Sequence, residues 1–179
     1  GTVIFVLHQM VVKSVLFLCA GAAERVTGTT DLNRMSGLLT THAPLAGFFL
    51  AAALALIGVP PLSGFFGKFT LIQAGIQSGH FASVAVALAV SLGTLFSMVK
   101  IFRYSFWGEA RGERRLGRDS GAFKALMRPI AGLVVVSALM GAAAEQLVSY
   151  ASASAEQLLG TTAYIEAVLG DFNPARYEL

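Results

Sequence analysis

Gly58-Val59-Pro60-Pro61-Leu62-Ser63-Gly64-Phe65-Phe66-Gly67-Lys68-Phe69 sets two prolines, three glycines and one lysine inside an apolar run that extends from Ala43 to Ile76. Neither proline has an amide hydrogen, so a helix entering near Pro44 loses its ladder by Gly58 and is expected to restart at about Pro61. The run therefore reads as a helix broken at Gly58, Pro60 and Pro61, with Gly64 and Gly67 on the restarting side. Unbroken, Ala43 to Gln77 would extend about 50 Å, too long for one membrane span, and each half is too short to cross alone. One interrupted, tilted span reconciles these lengths; a re-entrant pair of half-helices is the alternative. Inside a bilayer such a break survives only where protein or a watered cavity covers the freed backbone groups.

Lys68 follows the break by about two turns, with nine further residues before Gln77. An ammonium at that depth costs roughly 2.5–3.5 kcal/mol on insertion scales, and an amine that can gain or lose a proton is a proton-carrier candidate there. The competing reading is a lysine that snorkels to the membrane surface.

Composition supports the membrane reading. The 179 residues are 55% hydrophobic and only 13% charged, which excludes an ordinary soluble domain. A net charge of +3 would suggest nucleic acid only if the basic residues covered a solvated face. Instead Arg111, Arg114, Arg115, Arg118, Lys124 and Arg128 cluster in one loop, 108–128, which the positive-inside rule places in the cytoplasm. Cys19 is alone in an apolar run, so neither a disulfide framework nor a metal site is expected. No phosphate loop, dinucleotide fingerprint or nucleophile motif appears. The sequence thus points to a transporter rather than an enzyme, with no cofactor.

The expected architecture is all-α and polytopic, with about four spans: 2–23, 43–77 (the broken one), 81–107 and 129–150. Together they form one domain over 1–151. Gly1 enters an apolar run directly, so an upstream part of the domain is expected. Pro129 suits a first helical position, and Lys100, Arg103, Tyr104 and Trp107 read as interfacial anchors. By alternation from the basic loop, the C-terminal tail 152–179 is outside. In the first span Gln9 and Phe17 lie one turn before and after Lys13 on the same face, whereas His8 is about 140° round the helix. Gln9, Ser63 and Phe17 are candidates to line a path, and Lys13 and His8 to carry protons along it.

Leu7-His8-Gln9-Met10-Val11-Val12-Lys13-Ser14-Val15-Leu16-Phe17-Leu18 followed by Ala20-Gly21 resembles the "H…K…LFL.AG" helix of the antiporter-like membrane subunits. These occur in respiratory complex I, in membrane-bound hydrogenases and in the multisubunit (Mrp-type) Na⁺/H⁺ antiporter. GVPPLSGFFGKF resembles the second broken helix of the same superfamily. The Ser105-Phe106-Trp107-Gly108-Glu109 exit and Ala163-Tyr164-Ile165-Glu166-Ala167-Val168-Leu169-Gly170 look most like the D-type subunit of the Mrp-type antiporter, over its last four of about fourteen helices.

The resemblance implies a hydrated polar axis at the membrane midplane. Lys68 would be the terminal proton carrier, Lys13 an intermediate one, and the remaining carriers would lie in earlier helices. One departure stands out. Many relatives have histidine four residues before the helix lysine; here Gln9 holds that place and His8 precedes it, so the spacing does not support a direct His8–Lys13 relay. The implied function is a membrane subunit of a cation/proton antiporter, moving protons along a Lys/His axis coupled to Na⁺ exchange. It would work with other membrane subunits in the cell membrane, with protons and Na⁺ as its ions and no nucleic acid. Two alternatives remain open: a proton-pumping subunit of a respiratory NADH-quinone oxidoreductase or membrane-bound hydrogenase, and a structural subunit whose lysines are locked in salt bridges.

Overall fold

The computed structural model describes residues 2–109 and 120–159. Four arginines of the basic loop (Arg111, Arg114, Arg115 and Arg118) and tail residues 160–179 lie outside them. Among the described residues every regular element is a helix: α1 (Thr2–Thr27), α2 (Leu38–Thr41), α3 (Ala43–Ile57), α4 (Ser63–Gln77), α5 (Phe81–Ser105), α6 (Ser120–Ala142) and α7 (Ala144–Leu159). By length and composition Thr2–Thr27, Phe81–Ser105 and Phe123–Ala142 are each able to cross a membrane, and Ala43–Ile57 is apolar but shorter. The chain is a polytopic membrane protein.

α3 and α4 follow one another along a single straight neighbour. Val84 near the start of α5 meets Gly75 late in α4, and Phe102 near the end of α5 stacks on Phe49 early in α3, with centroids 6.3 Å apart. A rise of 1.5 Å per residue spreads those two α5 positions over about 27 Å, so the two short helices behave as one interrupted span. α1 and α6 pack across both halves. Val12, Val15 and Cys19 of α1, Leu45, Phe49 and four alanines of α3, and Ile130 of α6 make up much of the core. Those alanines let backbones approach closely, which is how helices associate where lipid is as apolar as leucine. Leu39 N–H donates to Phe106 O at 3.0 Å and Ser36 Oγ to Glu109 O at 2.5 Å, so the α1–α3 connection and the exit of α5 share one end of the bundle.

Several boundaries differ from expectation. α4 begins at Ser63 rather than Pro61, because Leu62 N–H closes a turn onto Val59 O at 3.0 Å before the helix starts. Pro60 and Pro61 are joined by a cis peptide bond. Pro129 lies inside α6 instead of opening it. Phe123, Leu126 and Met127 recur at helical spacing and pack on the core, and that packing outweighs the hydrogen bond the proline removes. Lys124 and Arg128 therefore belong to the helix rather than to the loop. The fourth run does not continue unbroken to Tyr150: α6 stops at Ala142, where Gly141 fits tightly against the Pro61–Ser63 turn, and α7 begins with Glu145 in its first turn, favourable at a helix N-terminus. α1 runs on to Thr27, past the expected Ala23, and α5 stops at Ser105, short of Trp107.

Two glycines make the break possible. Gly58 ends α3 at φ 91°, a left-handed conformation that a side chain disfavours. Gly64 is pressed so closely that a Cβ there would run into the Ala55 carbonyl and the His8 ring. Gly64→Ala is expected to destabilise the protein by at least ~3 kcal/mol, because backbone cannot retreat from the clash, and Gly58→Ala by about 1–2 kcal/mol. Heat inactivation of the solubilised protein measures both; the reverse ranking would contradict the packing described.

Candidate functional site

The site is built at the break. A helix that stops leaves its last carbonyls without intrahelical partners, and in a membrane no bulk water takes their place. Gly58 N–H reaches Leu54 O at 3.0 Å and Ala55 O at 3.2 Å, and Val59 N–H reaches Leu54 O at 3.1 Å, in the manner of a Schellman cap. The carbonyls of Leu56 and Ile57 remain, and the Lys68 ammonium takes both: Nζ donates to Leu56 O at 2.9 Å and to Ile57 O at 2.7 Å. The lysine stem crosses Gly58, where an added Cβ would stand 3.1 Å from Cδ. A positive charge at the C-terminal end of a helix also meets the negative end of its dipole. Lys68 thus reaches back from α4 to cap α3 across the break, and it does not snorkel to a surface.

Lys68 is half-buried, and one side of it opens on a cleft of about 260 Å³ between α4 and α5. Leu71, Ile72 and Gly75 line that cleft from α4, and Ser83, Val84, Ala87 and Ser91 from α5.

His8 approaches the same place from α1 and is fully buried. Its Nδ1 is 2.9 Å from Ser63 Oγ, and Ser63 Oγ is 3.2 Å from Ser137 Oγ of α6. Its Nε2 lies beside the Ala55 carbonyl against Gly64, without a closed hydrogen bond among the described residues. The charge of Lys68 acts on the His8 ring. Gly67 sets α4 against the Phe5 backbone of α1, which brings the two helices close enough for these contacts.

The expected site residues therefore divide. Lys68, His8, Ser63, Gly58, Gly64 and Gly67 come together, with Pro60 and Pro61 in the turn between the half-helices. Lys13 and Phe17 do not join them: both lie on the outward face of α1, Phe17 at 75% exposure. Gln9 is half-buried between the two faces, its Oε1 without a partner among the described residues. Ser137 was missed by the sequence reading. The available signal was its place one turn before Gly141 in an apolar helix, since small residues four apart mark a close helix contact.

Comparisons with known proteins give the family. Residues 1–105 match the sequence model of the family described as NADH:quinone oxidoreductase/Mrp antiporter, TM. The chain is similar to the D-type subunit of the Na(+)/H(+) antiporter of Alkalihalophilus pseudofirmus, 48% identical over 171 residues that are 94% of this chain and 34% of the relative. It is also similar to the corresponding Na(+)/H(+) antiporter subunit of Bacillus subtilis, 37% identical over 169 residues with the same shares. Among solved structures it resembles a chain of the Mrp complex from Dietzia sp. DQ12-45-1b, with a TM-score of 0.80 and 34% identity over 93% of this chain and 39% of that one. The chain spans about a third of the length of the curated relatives it matches. With more than half its residues matched to the family model and a broken helix closed by a lysine, the chain belongs to the NADH:quinone oxidoreductase/Mrp antiporter family of membrane proteins.

Proposed function

We propose that this chain is part of the D-type membrane subunit of a multisubunit antiporter, where it moves protons through Lys68 and His8 in exchange for Na⁺. The observation that carries the reading is the Lys68 ammonium held by two backbone carbonyls at a helix break, beside a buried histidine whose Nε2 has no closed hydrogen bond among the described residues. Lysine and histidine are the side chains whose protonation is most readily altered by such surroundings. The names of the relatives, an Na(+)/H(+) antiporter subunit of D type and the Mrp complex, support Na⁺/H⁺ exchange and other membrane subunits as partners. They favour the antiporter over the respiratory pump with which the family description is shared. Lys13 serves as an intermediate carrier on the outward face of α1, facing helices contributed by the rest of the protein. The basic stretch that leads from α5 into the start of α6 faces the cytoplasm and the tail the outside, as the distribution of arginine and lysine supports.

The structural alternative has a specific observation behind it, since Lys68 does cap α3. Arginine separates the two roles: it has donors enough for both carbonyls but does not release its proton. In everted vesicles carrying the full complex, Lys68→Arg is expected to assemble normally and to lower Na⁺-induced collapse of a preformed pH gradient by at least about tenfold. Exchange at the wild-type rate would sink the carrier role and leave only the cap. Lys13→Ala is expected to lower exchange without changing heat stability, because its side chain lies outside the core of the described residues; unchanged exchange would remove it from the path.

A further inference from the structure

We propose that Ser137 of α6 is a positioning residue for His8, setting through Ser63 which imidazole nitrogen carries the proton. The proposal rests on the reading of His8 as a proton carrier.

His8, Ser63 and Ser137 form a row across three helices, at 0%, 2% and 6% exposure. So complete a burial leaves the row to satisfy itself, and its sense decides the chemistry at the ring. A hydroxyl gives one proton and accepts others. When Ser137 donates to Ser63 and Ser63 donates to Nδ1, the proton of a neutral ring sits on Nε2. When Nδ1 donates to Ser63 and Ser63 donates to Ser137, Nε2 is a bare acceptor. Ser137 at the far end of the row thus selects between a ring that offers a proton from Nε2 and one that receives it there.

The packing of α6 makes this a fixed relation. One turn beyond Ser137, a Cβ on Gly141 would stand 3.0 Å from both Pro61 O and Ser63 N. α6 therefore seats on the break through two positions of one face, and Ser63, the first residue of α4, is held between that seat and His8.

Few charges compete for control of the ring. The Lys68 ammonium of α4 is bound to the Leu56 and Ile57 carbonyls, and the Ala55 carbonyl of α3 crowds Gly64 together with Nε2. α3 has no titratable residue, and Lys124 and Arg128 of α6 precede Ser137 by thirteen and nine residues. Glu145 of α7 and Lys13 of α1 are exposed.

The test is the pH profile of Na⁺-induced gradient collapse by the full complex in everted vesicles. Ser137→Ala is expected to displace the profile by about half a pH unit or more, since losing one hydrogen bond alters the balance between ring protonation states by that order. Ser137→Thr, which keeps the hydroxyl, is expected to restore the wild-type profile. If Ser137→Ala does not assemble, Ser137→Cys takes its place, with similar shape and a weak donor, and must show the displacement. A structural role alone would lower the amount of complex and leave the profile where it was, and that result overturns the proposal. His8→Gln in the same vesicles tells the two failures apart. Full exchange by the assembled variant overturns the carrier reading of His8 on which the proposal depends. An inactive His8→Gln beside an unmoved Ser137→Ala profile overturns the role of Ser137 alone.

Discussion

A backbone carbonyl inside a membrane needs a hydrogen-bond donor, and at the end of α3 the donor is Lys68. Much of the structure follows from that requirement. The prolines remove the amides that would have continued the ladder, and Gly58 turns the chain so that Leu54 and Ala55 are satisfied locally. Two carbonyls are left over, and an ammonium from eleven or twelve residues further on answers both. The group that stabilises the break is thus the group whose proton is proposed to move. Structure and the proposed transport share two hydrogen bonds.

Around this centre the helices divide their work. α1 and α6, packed on each other, both press on the break, α1 through the contact of His8 with Gly64 and α6 through Ser137 and Gly141. Among the described residues α5 packs chiefly on α3 and α4, and Val86, Val90, Leu92 and Phe96 face outward from it, open to lipid or to a neighbouring subunit. The outward face of α1 carries Met10, Lys13, Ser14 and Phe17, with Lys13 as the charge within the apolar part of the span. An exposed lysine within a membrane span requires a polar neighbour.

The break was legible because two adjacent prolines between glycines interrupt the ladder through local covalent geometry. Lys68 stood out for a similar reason, as a charge in an apolar run. Its two carbonyl partners were not legible, since they depend on how α4 folds back over Gly58. His8 and Lys13 show the limit of helical periodicity: the angle between them was correct, but which of the two faces the break depends on packing against α4 and α6. Pro129 misled in the opposite direction. Its local preference for a helix start was overridden by the packing of Phe123, Leu126 and Met127. Ser137 offers in the sequence only its spacing from Gly141, and its part in the site becomes visible only beside Ser63.

The most direct measurement is a density map of the complete complex in lipid, fine enough to place side chains around the break. The account predicts Lys68 Nζ within hydrogen-bond reach of the Leu56 and Ile57 carbonyls, with His8 joined to Ser63. A Lys68 side chain extended away from Gly58 toward the membrane surface, with those carbonyls bonded to something else, would contradict it.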